Sequence, residues 1–171
     1  ACVRAASSVP TPTNAPDFPA PQATSAAAAS AQACHPADLT TSSNSSVVDG
    51  AVVIGLTLVN ATGKTCLLEG APQVDLRDAS GNSLPIQYIA AKLDQTPPLP
   101  STLAVTPGES AIISLGWRNA CAPFPEGKVT LRLTLSTGET LSAVPENLSV
   151  PPCADKNSPA TVVISPYSYP P

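Results

Sequence analysis

Charge is scarce in this chain. Of its 171 residues, 8 are Lys or Arg and 12 are Asp or Glu, a 12% share against roughly 25% in an ordinary soluble domain. The basic residues are scattered from Arg4 to Lys156 and the net charge is −4, so no patch can track a phosphate backbone. Nucleic acid is excluded as a partner. Long apolar runs are also missing, since Pro, Gly or polar residues interrupt each one before the ~20 residues that a spanning helix needs. There is no methionine, and the expectation is a chain that starts after processing. One histidine, His35, is present. It lies between Cys34 and Pro36, which leaves a hydrolase triad without a convincing base. No G-x-S-x-G elbow, phosphate-cradling Gly loop or C-x-x-C pair occurs. The sequence therefore predicts a non-enzyme with no cofactor and no metal.

What the chain does have is proline, small residues and β-periodicity. In residues 1–33, 24 positions are Ala, Ser, Thr or Pro, and the large apolar side chains are Val3, Val9 and Phe18. Such a segment cannot bury enough surface to offset the entropy of ordering it. It reads as a tether, or as a tail that donates a strand to a neighbour, and Thr11 and Thr13 suit an O-glycosylated stalk. From residue 34 to 171 the period becomes two. Lys128 to Ser136 puts Val129, Leu131, Leu133 and Leu135 on one face, and Ala51 to Val59 puts Val52, Ile54, Leu56 and Leu58 on one face. Val74 and Leu76 are expected to pair as a hairpin with Leu84, Ile86 and Tyr88 across Ala79-Ser80-Gly81-Asn82. Leu103 and Val105 are expected to form a second hairpin with Ala111, Ile113, Leu115 and Trp117 across Thr106-Pro107-Gly108-Glu109. Thr137-Gly138 joins the Lys128 strand to one around Leu141, and Leu148, Val150 and Thr161 to Ile164 supply the last strands. About eight short strands predict an all-β, immunoglobulin-like antiparallel β-sandwich with an extended N-terminal tail. Trp117 shares a face with Ile113 and Leu115 and reads as core. Tyr167 and Tyr169 read as part of a frayed terminus, with docking on a partner as the alternative.

Five cysteines stand at positions 2, 34, 66, 121 and 153. The simplest pairing is Cys34 with Cys66 and Cys121 with Cys153, each closing a loop of about 30 residues and contributing roughly 3 kcal/mol. Disulfides imply an oxidising compartment. Cys2 is left over. It follows the small residue Ala1 at the start of the tether and resembles the acylated cysteine of a bacterial lipoprotein, which would anchor the chain to a membrane. The alternative is a free thiol or a cross-link to another chain. Asn44, Asn60 and Asn147 begin N-x-[ST] sequons, candidate sites if the host glycosylates asparagine. Asp75, Asp78 and Asn82 lack the alternating pattern of a calcium loop and read as a solvated turn. The carboxylates, including Glu109, Glu126, Glu139 and Glu146, are dispersed near strand ends and turns, which gives little support to a glycosidase pair.

Several short motifs follow one another along the chain: Cys34, Gly55-Leu56-Thr57-Leu58-Val59-Asn60, Cys66-Leu67-Leu68-Glu69-Gly70-Ala71-Pro72 running into Val74-Asp75-Leu76, Val105-Thr106-Pro107-Gly108-Glu109, Leu115-Gly116-Trp117 and Cys121. From Cys34 to about Val150 the pattern resembles the domain-of-unknown-function family numbered 4232, found in secreted and lipoprotein contexts of bacteria. The resemblance implies a disulfide-bonded β-sandwich outside the cytoplasm, and it brings no catalytic residues. Three functions are in play. The first is an extracellular or cell-surface assembly module, such as a fibre subunit, joining copies of itself or an envelope complex through residues 1–33. The second is a monomeric envelope lipoprotein whose loops bind a ligand or glycan. The third is a hydrolase with dispersed carboxylates. Assembly is the favoured expectation, because backbone pairing needs little side-chain specificity.

Overall fold

The computed structural model describes residues 31–91, 102–124 and 128–171. Among these residues are eleven strands, most of them built on alternating apolar residues: β1 (Gln32–Ala33), β2 (Leu39–Val48), β3 (Ala51–Asn60), β4 (Cys66–Glu69), β5 (Gln73–Arg77), β6 (Ile86–Ala90), β7 (Thr102–Val105), β8 (Ser110–Arg118), β9 (Thr130–Thr134), β10 (Thr140–Ala143) and β11 (Ala160–Ile164). One layer is a five-stranded sheet in the order β2-β3-β8-β11-β6. The other is made of two three-stranded sheets, β1-β4-β7 and β10-β9-β5. Between them lies one core. Val52, Ile54, Leu56 and Leu58 of β3 and Ile113, Leu115 and Trp117 of β8 meet Leu68, Val105, Val74, Leu76, Leu131 and Leu133 from the opposing sheets. Trp117 is fully buried, with its ring edge-to-face on Phe124 at a centroid distance of 5.2 Å. The all-β sandwich read from the sequence is present. Its pairing is mostly antiparallel, but β1 with β4 and β6 with β11 run parallel.

Two expected hairpins are corrected. β5 pairs with β9, while β6 joins β11 in the other layer, and Arg77–Ser83 is the isolated bridge left between their ends. The buried Leu84 donates its N–H to Leu76 at 2.8 Å, and Pro85, which has no N–H, follows where the chain crosses layers. Likewise the Thr106–Glu109 turn closes, with Glu109 N donating to Thr106 O at 3.0 Å and Gly108 at φ 79°. It carries the chain from β7, paired with β4, to β8, paired with β3, so it links layers and makes no hairpin. The β9–β10 hairpin forms as expected, with Leu133 opposite Leu141. Leu148 and Val150 lie outside any strand.

The longest departure is β2. Its sequence, Leu-Thr-Thr-Ser-Ser-Asn-Ser-Ser-Val-Val, shows no apolar alternation, yet it pairs with β3 over all ten residues. It is an edge strand most of whose polar side chains face water, with Ser43 buried and donating to Gly55 O at 3.0 Å, and Asp49-Gly50, both in the left-handed region, close the hairpin. The terminus is corrected too. Tyr167 is 6% exposed and belongs to the core, Ser168 pairs with Ile112, and the Tyr169 hydroxyl donates to Ala104 O of β7.

Candidate functional site

Both disulfides form as the sequence pairs them, Cys34 with Cys66 and Cys121 with Cys153. Each supports one of two grooves at opposite ends of the β2–β3 hairpin.

The first groove, of about 840 Å3, opens where the N-terminal segment joins the sandwich, beside Gln32, His35, Asp38, Thr62 and Lys64. Gln32 and Ala33 add to β4 as a short parallel strand, in register with Cys66 and Leu67, and Cys34 N donates to Leu67 O at 2.9 Å. The next side chain along is covalently bonded to β4. Backbone pairing and a disulfide thus fix the same three residues. Asp38 accepts from His35 N at 2.8 Å and closes a single 3-10 turn over Pro36–Asp38. His35 Nδ1 lies 2.6 Å from Glu139 Oε2 on the β9–β10 turn, with both side chains about half exposed. Among the described residues no hydroxyl or thiol hydrogen-bonds the His35 ring.

Asn60 sets the floor beside that groove. Its side-chain amide donates to Lys64 O at 2.7 Å and Val105 O at 2.8 Å, and its carbonyl accepts from Thr62 N at 2.9 Å and Thr62 Oγ1 at 2.8 Å. The residue is 1% exposed. A glycan cannot be attached to this nitrogen in the folded protein, which corrects Asn60 as a glycosylation site; Asn44 and Asn147 are exposed. Cys2, Thr11, Thr13 and Glu126 lie outside the described residues.

The second groove, of about 510 Å3, lies at the far end of the five-stranded sheet. Arg118, Thr161 and Gln87 stand side by side on its outer face, with Thr161 in register with both neighbours. One rim is the Asp49-Gly50 turn, and the other is the segment 152–159. That segment has no strand pairing and is held by Asn119. The Asn119 amide donates to Asp155 O and Ser158 O at 2.8 Å each, and its oxygen accepts from Ala154 N at 2.9 Å and Asp155 N at 2.8 Å. Asn119 adopts φ 59° to reach both sides, a conformation Asn tolerates well. Asp155 accepts from the Ser158 hydroxyl and from Asn157 N, and these hydrogen bonds hold its carboxyl below the usual range.

A further polar cluster surrounds Asp75 and Asp78. Asp75 pairs with Arg77 at 2.8 Å and accepts from the Ser83 hydroxyl at 2.7 Å. The Tyr88 hydroxyl accepts from Leu76 N at 2.8 Å, and burial pushes its phenol up to about 12. Asp78 accepts from Asn82 N and Ser80 N, which lowers its carboxyl. The carboxylates of Asp75 and Asp78 are thus spent on separate partners, as a turn requires.

A family model described as "Domain of unknown function (DUF4232)" matches residues 34–166. The chain belongs to the DUF4232 family. No curated protein and no solved structure matches it. The family's matched region opens at the first disulfide cysteine and closes beside the buried Tyr167, so it coincides with the sandwich. In this member the two disulfides point to an oxidising, extracytoplasmic compartment. No helix of the described residues is long and apolar enough to cross a membrane.

Proposed function

We propose that this DUF4232 protein is a non-enzymatic module of the bacterial cell surface. It attaches its sandwich, through the N-terminal segment, to further copies of itself or to an envelope complex. The observation that carries this reading is the junction at residues 32–34. Tension applied along the N-terminal segment passes through the β1–β4 hydrogen bonds and then, at Cys34, through a covalent bond into β4. Such a junction suits a segment that carries load, in addition to the stability the bridge gives any secreted domain. The composition of residues 1–33 suits a spacer. Sedimentation velocity of the full chain against a chain lacking residues 1–30 tests the self-joining form. The full chain is expected to form concentration-dependent assemblies and the shortened chain to stay monomeric. A full chain that is monomeric at every concentration, and that pulls down no envelope component, overturns the reading.

The second groove favours a further reading: an envelope lipoprotein, anchored by an acylated Cys2, whose loops at the sheet end bind a ligand or glycan. Mass spectrometry of the mature protein from its host decides the anchoring, since acylation adds the mass of the lipid at Cys2.

A further inference from the structure

The groove beside Arg118 combines a well-tied rim with a row of polar side chains. One rim, the segment 152–159, is tied by the Cys121–Cys153 disulfide and by the four main hydrogen bonds of Asn119. A loop ordered in this way has already lost the freedom that binding would otherwise remove. Its volume, about 510 Å3, falls within the roughly 300–1,000 Å3 of small-molecule sites.

The polar groups inside divide into two sets. Asn119 and Asp155 are satisfied within the protein. Arg118, Thr161 and Gln87 are not: among the described residues their side chains have no hydrogen-bond partner, and the ion pairs formed are His35–Glu139 and Arg77–Asp75. Arg118 stays unpaired although Asp49 and Asp155 line the same groove. The three side chains lie in one row across β8, β11 and β6, spaced about 4.8 Å per strand and therefore spanning about 10 Å. The row offers a planar cationic fork, a hydroxyl and a side-chain amide; the Asp49 carboxylate adds an acceptor, and the Asp155 carboxylate is turned onto Asn157 and Ser158, so Arg118 is the one place in this lining where a ligand carboxylate is favoured. Pro152, Ala154 and Pro159 add an apolar wall.

A fork of N–H donors fits a carboxylate with two parallel bonds. A hydroxyl and an amide farther along the row fit groups that both donate and accept, which are the hydroxyls of a sugar. We propose that this groove binds an acidic saccharide, with the sugar carboxylate on Arg118, ring hydroxyls on Thr161 and Gln87, and the C–H face of a ring against Pro152 and Pro159. The proposal deepens the loop-binding reading and holds whether or not Cys2 is acylated.

The test is a titration of the full chain, followed by backbone amide NMR, with digalacturonate, with the neutral digalactose, and with a dipeptide carrying a free C-terminal carboxylate. Expected are saturable shifts with digalacturonate at Gln87, Arg118, Thr161 and the 152–159 segment, and weaker binding of both other probes. Arg118→Gln is expected to weaken digalacturonate binding about tenfold or more while the spectrum stays folded. Arg118 is exposed, so the variant leaves the core untouched. No saturable shift with digalacturonate at millimolar concentration, shifts located elsewhere, equal binding of digalactose, tighter binding of the dipeptide, or unchanged affinity in Arg118→Gln each overturn the proposal. Because every arm reads binding to the loops, failure here leaves the attachment reading standing, and failure of attachment leaves this one standing.

Discussion

Replacing Asn60 by Ala should be among the most damaging polar substitutions in the sandwich. The side chain is 1% exposed and makes four hydrogen bonds, to Lys64 O, Val105 O, Thr62 N and Thr62 Oγ1. Val105 is fully buried, so its carbonyl is stranded when the amide is removed, at about 1–3 kcal/mol. The other three partners lie nearer solvent and recover part of their bonding from water, which adds about 0.5 kcal/mol each. The expected loss is about 3–4 kcal/mol, a large share of the roughly 5–15 kcal/mol that holds a domain together. For a domain of this size that lowers Tm by about 12 °C. Backbone bonds at the same corner, Gly108 N to Asn60 O and Asn60 N to Glu109 O, survive the substitution and limit the damage. Urea unfolding and calorimetry measure the loss. Asn60→Asp, which keeps the acceptor but turns a second oxygen toward Lys64 O and Val105 O, is expected to cost at least as much at neutral pH and less in acid. A loss below about 1 kcal/mol for Asn60→Ala would mean that this corner is not stitched by one side chain.

Alkaline pH should destabilise the fold through Tyr88 and Tyr167, whose phenols burial pushes up to about 12 from 10.0. The folded protein holds these protons where the unfolded chain releases them, so stability is full below pH 10 and falls as pH rises from 10 toward 12. The urea midpoint measured across that window shows it, and Tyr167→Phe is expected to flatten the fall. Gly108, at φ 79°, and Gly116, in ordinary strand conformation with nothing within 4 Å of an added Cβ, make a contrasting pair. Gly108→Ala is expected to cost about 1 kcal/mol or more and Gly116→Ala to be neutral or mildly stabilising, by thermal melts of the two variants side by side.

Much of this fold is legible where one face of a strand is buried. β3 and β9 show strict alternation, and the structure buries Val52, Ile54, Leu56 and Leu58, and Leu131 and Leu133, as that alternation requires. β2 is not legible by hydrophobicity, because Leu39 and Ser43 are the side chains it buries. Its signal is local instead: Asp49-Gly50 between apolar residues, a two-residue hairpin turn. The turns at Asn82 and Gly108 are readable as turns, but which strand continues from each is decided by the opposing layer, where Leu84 and Val105 find their places. The disulfides follow from spacing, since each pair closes a short stretch of consecutive strands. The Arg118 groove does not, because residues 49, 87, 118 and 152–161 come together through the order of five strands. In sequence Arg118 is simply the polar end of an amphipathic strand.

Attachment of the sandwich to the cell surface by its N-terminal segment is best tested in the organism that makes the protein. The full chain and a variant lacking residues 3–30, with Cys2 retained, are expressed from the native locus, and the envelope and medium are probed for each. If residues 1–33 join the protein to copies of itself or to an envelope complex, the full chain stays with the surface in detergent, where lipid anchors let go, and the variant is released. A full chain extracted by detergent as a monomer, or a variant retained as well as the full chain, contradicts the account.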